Sequence, residues 1–388
     1  MNEQASNGAL NIARRPLGHT GLQVSEIGFG AWAIGGAWWG PQDDIDSRLA
    51  LHQALDMGCN FIDTAWVYGT GHSERLIAGV LKERGERPVI ATKVPPMNFN
   101  WENRPGTPLS DVFTPDWITS KAEESLRNLG VECIDVLQLH TWCRGWDTQA
   151  AEVLQTMARL KRDGKIRAFG ISLRDKGPEE ANDLIHWGMV DTLQIFFNLF
   201  YQDPLWKVFP LAQKYNVGVI ARVPLAFGAL SGKFNLKTRF IGDDHRGHLY
   251  EGEGLQTTIK KVEKLNFLAS KTMPLAEAAL KWTLAYPAVS TTIPGIRNLR
   301  QAVLNCRAGE GAALPLTLAR KAEKLYKENF GLKARRVSSD EGIPAVFMSG
   351  IQVSSGVKVK KGKSKKVKTK APRPKKKKAK SSGKKKRK

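Results

Sequence analysis

The sequence predicts an α/β fold, a (β/α)8 barrel of the TIM type, and three observations carry the prediction. Eight short β-branched runs lie between about residues 27 and 295, amphipathic patterns of helical length separate them, and several of those patterns close on Gly. Strand and helix in strict alternation imply a parallel sheet. Eight such units over about 280 residues match a closed barrel better than an open doubly wound sheet, which usually has fewer strands.

The elements follow in order. RRPLGHTGLQVSEIG carries a turn signal at HTG and predicts an N-terminal β-hairpin across one end of the barrel. The strand candidates are IGFGAW (27–32), FIDTA (61–65), VIATKV (89–94), DVLQLH (135–140), IRAFGIS (166–172), TLQIFF (192–197), GVIARV (218–223) and VSTTIPG (289–295). Between them run helical patterns such as DIDSRLALHQALDMG, SERLIAGVLKERG and TPDWITSKAEESLRNLG, each ending on a Gly suited to a left-handed cap. LWKVFPLAQKYN, LAEAALKWTLAY and LRQAVLNCRAG continue the series. The connection from Pro224 to Ala288 is far longer than the rest and holds the polar stretch KTRFIGDDHRGHLYEGEG, which predicts a lid or binding loop. The expected organisation is a flexible N-terminus (1–14), the barrel (15–332), a linker (333–354) and a disordered Lys-rich tail (355–388).

Composition limits the function classes. With 41% hydrophobic and 25% charged residues the chain is globular in character, which excludes disorder throughout. The net charge of +23 suggests a nucleic-acid binder until it is located: Lys358 to Lys388 supplies 19 of those charges and no acid, leaving +4 on the rest. Such a tail binds polyanions through counterion release with little sequence preference. It carries no aromatic residue, so base stacking is not on offer. The expected tail partner is therefore non-specific nucleic acid or another polyanion. Cys59, Cys133, Cys143 and Cys306 are widely spaced and suggest neither a disulfide framework nor a zinc knuckle. The N-terminus lacks an apolar core and no stretch approaches the roughly 18 apolar residues of a membrane span. A cytoplasmic protein is expected, able to associate with nucleoid or nucleus through its tail.

Gly28-Phe29-Gly30-Ala31-Trp32-Ala33 fits the G-x-G-x-x-A dinucleotide fingerprint just after a strand. That motif must open directly into a helix, and here no helical pattern begins before about Asp43. A Rossmann site is set aside.

A stronger constellation lies on consecutive strands. Asp63 sits near the end of the second, Tyr68 just past it, Lys93 at the end of the third and His140 at the end of the fourth. In a barrel these strand ends converge on one mouth, so the four side chains share a pocket. The patterns D-T-A-x-x-Y-G, followed by Gly71-His72-Ser73-Glu74, then A-T-K and L-x-H, resemble the aldo-keto reductase superfamily over about Arg15 to Ala308.

The resemblance implies NADPH-dependent reduction of an aldehyde or ketone, or the reverse oxidation. Hydride transfer to a carbonyl builds negative charge on oxygen, which needs a proton donor and hydrogen bonds. In the implied scheme Tyr68 is the general acid/base, Lys93 the cation beside it, Asp63 the anchor of Lys93, and His140 the donor that orients the carbonyl. The implied cofactor set begins with Gly30, Ala31 and Trp32 after the first strand, with Ser172, Gln194 and Asn198 on the carboxamide. The family usually follows that Ser with Asn, where this chain has Leu173, and Arg174 or Asn198 can compensate. Arg222 stands where many members stack an aromatic on the nicotinamide. Pro224, Leu225, Gly228, Ser231 and Lys233 resemble the segment crossing the pyrophosphate. Gly295, Arg297, Gln301 and Asn305 resemble the adenosine-phosphate site, where Arg297 at a helix N-terminus favours a 2′-phosphate and hence NADPH over NADH. Many NADPH-specific members carry a basic residue where Gln301 stands. No metal site is implied.

Trp32, Trp38, Trp39, Trp66, Trp101 and Trp142 all fall at or just after strand ends. Trp32, Trp66 and Trp142 are the expected walls of an apolar substrate pocket. The competing function class is an NADP(H)-binding regulatory or sensor protein with little turnover, tethered by its tail to DNA, RNA or an anionic surface.

Overall fold

Burial on both faces decides which runs become central strands. Val89–Val94, Ile134–Leu139 and Ile166–Ser172 are buried along almost their whole length. Strands covered by helices outside and filled by side chains inside require this. The computed structural model describes residues 12–332 apart from 37, 176 and 251. The linker expected at 333–354, the tail at 355–388 and most of the N-terminal segment lie outside the described residues.

The hairpin comes first, β1 (Arg14–Pro16) antiparallel to β2 (Gln23–Ser25). Eight parallel strands follow and pair in chain order: β3 (Phe29–Gly30), β4 (Phe61–Asp63), β5 (Val89–Val94), β6 (Ile134–Leu139), β7 (Ile166–Ser172), β8 (Thr192–Phe196), β9 (Gly218–Arg222) and β10 (Val289–Ile293). The ring closes where Ile27 and Gly30 bridge to Thr292 and Gly295. A side chain at Gly30 would bring its Cβ to 2.8 Å from the carbonyl oxygens of Ile293 and Pro294, so glycine permits the closure. All eight expected strands are present, within two residues of the expected ends.

The helices are α1 (Asp44–Asp56), α2 (His72–Arg84), α3 (Pro115–Leu129), α4 (Ala151–Arg162), α5 (Asn182–His186), α6 (Pro204–Lys207), α7 (Phe209–Lys214), α8 (Arg246–Leu249), α9 (Glu253–Lys264), α10 (Leu275–Leu284), α11 (Leu299–Cys306) and α12 (Leu316–Lys327). Their ends follow the sequence chemistry: the Asp43 carboxylate accepts from the Ile45 and Asp46 N–H groups, and Gly130 closes α3 at φ 64°. LWKVFPLAQKYN, expected as one helix, splits into α6 and α7, with Pro210 in the first turn of the second. A proline there cannot donate the N–H that continuity needs. The long connection after β9 contains the expected α10 and, ahead of it, the unexpected α8 and α9. Among the described residues no helix is long and apolar enough to cross a membrane.

The hairpin seals one end. Leu17, Leu22 and Val24 pack with Phe61, Val136, Ala168 and Ile220 in the barrel interior, and the Gly18 backbone lies against the start of β9. Arg15 clamps it there by donating to the carbonyls of Leu284 (2.8 Å) and Val289 (2.9 Å) while pairing with Glu26. That leaves the carboxyl ends of the strands for chemistry.

Candidate active site

Asp63 is the last residue of β4, Lys93 the fifth of the six in β5, His140 the residue after β6, and Tyr68 follows on the β4 loop. Parallel pairing brings the four together as expected. Lys93, wholly buried, donates from Nζ to Asp63 Oδ2 (2.8 Å), the Thr64 carbonyl (2.7 Å) and the Tyr68 hydroxyl (3.3 Å). A buried ammonium tolerates this place because all three of its donors are used. Gln194 Nε2 donates to the other Asp63 oxygen at 2.7 Å, so this glutamine holds the anchor of Lys93. Burial lowers the Lys93 pKa while Asp63 acts to keep it charged.

Burial also raises the Tyr68 pKa well above that of a free phenol, helped by Asp63 and opposed by Arg222. The proton therefore sits firmly on Tyr68 at neutral pH, as a donor to an alkoxide requires. Such a phenol can protonate an alkoxide, which is more basic than a phenolate, and Lys93 stands beside the oxygen that would be left charged. Burial, Lys93 and Arg222 together lower the His140 pKa well below the usual imidazole range, so the ring is neutral. His140 Nδ1 is buried without a partner. An orphaned N–H is costlier than an orphaned lone pair, which places the proton on Nε2.

These groups sit at the floor of a cavity of about 1040 Å³. At the upper end of the roughly 300–1,000 Å³ of ligand pockets, it has room for an extended ligand and a small second molecule. Of the residues expected to bind cofactor, Gly30, Trp32, Ser172, Gln194, Arg222, Pro224, Leu225, Gly228, Ser231, Lys233, Gly295, Arg297, Gln301 and Asn305 line it. Ala31 does not: it is buried, with its N–H on the Asp63 carbonyl and its own carbonyl accepting from Ser73. Asn198 is likewise outside, donating to the Val223 carbonyl and accepting from Phe200 N–H. Arg174 lines the cavity but is committed to Glu180 and the Asn103 carbonyl.

The segment after β9 is bent sharply. Val223, Ala226 and Phe227 hold φ of 56°, 46° and 53°, and Gly228 continues at 95°. Three non-glycine residues in the left-handed region cost about 1–3 kcal/mol each, a strain met here on the wall of the cavity. Farther along, the expected lid is an ordered strap: His245 N–H and Nδ1 both reach the Trp38 carbonyl (3.0 and 2.6 Å), and Trp38 N–H reaches Asp243 (3.1 Å). The strap brings Arg246 over the Trp39 ring at 5.0 Å and onto the cavity wall. No motif in the sequence singled out Arg246.

The expected substrate-pocket walls need correction. Trp66 and Trp142 do not line the cavity. Trp66 turns toward α3, its indole N–H on Glu124 at 2.6 Å and Lys121 Nζ 3.9 Å over its ring. Trp142 is wholly buried, edge-on to Trp146 and bonded to Asp147. The aromatic walls are Trp32, Trp39, Phe99, Trp101 and Phe227. Arg297 lines the cavity and braces the loop after β3 with three of its N–H donors: Nε to Gln42 (2.8 Å) and the terminal nitrogens to the Trp39 (3.0 Å) and Pro41 (2.8 Å) carbonyls. Among the described residues no group of three or more His, Cys, Asp or Glu side chains could hold a metal ion.

The aldo/keto reductase family model matches residues 26–317. The chain is 30% identical to aldo-keto reductase YhdN of Bacillus subtilis, over 73% of this chain and 84% of that protein. It is 27% identical to aldo-keto reductase yakc [NADP(+)] of Schizosaccharomyces pombe, over 75% and 85%. Its fold is similar to the glycerol dehydrogenase AKR11B4 of Gluconobacter oxydans, with TM-score 0.69 and 29% identity over 84% of this chain and 98% of that one.

Proposed function

Because this chain belongs to the aldo/keto reductase family, and is an oxidoreductase on that ground, we propose that it reduces a small aldehyde or ketone with NADPH, or oxidises the alcohol in reverse. One observation carries this reading: Lys93 Nζ joins Asp63, the Thr64 carbonyl and the Tyr68 hydroxyl at the floor of a cavity that His140 also faces.

The residues present fit a nicotinamide dinucleotide. The cavity runs from Tyr68 to the N-terminus of α11, and it carries the cations Lys233, Arg246, Arg297 and Arg300 against the single acid Glu277 toward that end. Dinucleotide phosphates need such a cationic end. Gln194, bonded to Asp63, and Ser172, its register partner on β7, line the cavity and would hold the carboxamide. When bound, the nicotinamide supplies the hydride. His140 Nε2–H and the Tyr68 hydroxyl converge on the carbonyl oxygen and draw electron density from the carbon that accepts it. As the C–H bond forms, Tyr68 gives its proton to the oxygen, and the phenolate left behind is held by Lys93 until solvent restores the proton. In the reverse direction Tyr68 takes the proton back.

The NADPH preference rests on Arg300. It is exposed on the cavity wall in the first turn of α11 and has no ion-pair partner among the described residues, whereas Arg297 is already engaged. A charge-assisted contact of about 1.5–3 kcal/mol corresponds to roughly 10–100-fold in affinity. Fluorescence titration of the full chain is expected to show Arg300→Ala weakening NADPH at least about tenfold and NADH little. Arg297→Ala is expected to weaken both through loop 39–42. Equal losses for both cofactors in Arg300→Ala would refute the assignment.

We further propose that the tail at 355–388 holds the protein on polyanions, on the strength of its uninterrupted positive charge. Retention on a DNA column is expected to fall steeply with added salt and to vanish when 355–388 is deleted. Equal retention of the truncated chain would overturn the proposal.

A further inference from the structure

The cavity has two electrostatic halves. The lobe between β9 and α11 carries the cations named above, while the other, between the loops after β5, β6 and β7, is lined by Phe99, Trp101, Glu102, Thr141 and Asp175. Most charges at the mouth are spent on one another: Asp175 pairs with Arg222, Arg174 with Glu180, and Arg246 with Asp244. Glu102 is held only loosely. Its carboxylate accepts only a long bond from Asp175 N–H at 3.4 Å and stays 3.9 Å from the Arg174 guanidinium.

The loop that carries Glu102 is braced in place. Asn98 Oδ1 accepts from Asn100 N–H and Asn100 Oδ1 from Glu102 N–H, both at 3.0 Å, while Asn98 Nδ2 reaches Asn103 at 2.8 Å. Thr141 ties the Trp101 carbonyl to the loop after β6 at 2.6 Å, and Arg174 ties the Asn103 carbonyl to the loop after β7 at 2.9 Å. A carboxylate on so constrained a loop is an acceptor prepared before substrate arrives.

We infer that Glu102 is a specificity-determining residue, selecting carbonyl substrates whose far end carries hydrogen-bond donors and rejecting carboxylated ones of similar size. This rests on the carbonyl-reductase reading above. Donors complete the coordination of the underused carboxylate, and the neighbouring Trp101 ring offers an apolar face to the substrate's carbon chain. A carboxylated substrate would instead meet like charge from Glu102, with Arg222 paired to Asp175 and Arg174 to Glu180. Burial and Asp175 push the Glu102 pKa up to about 7, against the pull of Arg174 and Arg222. Cys143 and Glu180 stand at this corner too, and His140 lies across the Trp101 ring. The carboxylate is therefore charged above neutrality and largely protonated near pH 6, so selectivity should switch on across that interval.

The test compares kcat/KM for glyceraldehyde, propanal and succinic semialdehyde in the wild-type chain and in Glu102→Gln, between pH 6 and pH 8. In wild type the glyceraldehyde to succinic semialdehyde ratio is expected to rise several-fold with pH. In Glu102→Gln it is expected to be flat, and about tenfold or more lower at pH 8, the scale of one charge-assisted hydrogen bond. A wild-type ratio independent of pH, or a ratio within about twofold of wild type in the variant, overturns the assignment. If the variant is inactive on every substrate, the wild-type pH dependence decides alone. No wild-type turnover of any of the three carbonyls would instead strike at the reductase reading itself.

Discussion

Tyr68→Phe is expected to lower kcat for carbonyl reduction about 10²–10⁴-fold, the range for loss of a positioned general acid. The change removes one oxygen and little else. The ring keeps its place at 6.1 Å from Trp32 and 5.9 Å from His140, and Lys93 keeps its shorter bonds to Asp63 and the Thr64 carbonyl. Cofactor affinity and the unfolding midpoint should therefore stay close to wild type while turnover collapses. Steady-state kinetics beside a cofactor titration separate the two quantities. A variant that retained more than about a tenth of wild-type kcat would remove Tyr68 from the chemistry.

Lys93→Met is expected to be damaging twice over. It leaves the Asp63 carboxylate, 3% exposed, with Gln194 as its remaining side-chain partner. Breaking a buried pair by removing one ion costs about 3–5 kcal/mol, because the charge left behind stays desolvated. It also removes the cation beside Tyr68, so activity falls with stability. Adding Asp63→Asn neutralises the stranded charge, and the double variant should regain most of the stability and none of the turnover. Denaturant unfolding of the wild type, both single variants and the double gives the coupling directly. Additive losses in that cycle would mean the pair is not the buried unit described.

The four candidate positions were legible because barrel topology and chemistry agree: Asp63, Lys93 and His140 lie at strand ends, where β-branched runs stop, and Tyr68 on the loop that follows one of them. Other features depend on loop conformation, which no periodicity encodes. Six tryptophans fall at strand ends, yet which of them face the cavity is settled by partners such as Glu124 for Trp66 and Asp147 for Trp142. Glu102 is an ordinary residue in the sequence, and only the distances of its neighbours show an underused carboxylate. Arg297 was readable as a cation at a helix N-terminus, but the carbonyls of Trp39 and Pro41 that absorb it lie more than 250 residues away in the chain. Helix α9, though unexpected, was legible: Leu255, Ile259 and Val262 recur at helical spacing.

Loss of NADPH absorbance by the purified full chain, across a panel of aldehydes, ketones and quinones, tests the central claim most directly. The account predicts NADPH consumption stoichiometric with alcohol formed for at least one carbonyl class, and its near-abolition in Tyr68→Phe. Tight NADPH binding with no turnover of any carbonyl would contradict it, and would make the cavity a nucleotide sensor rather than an active site.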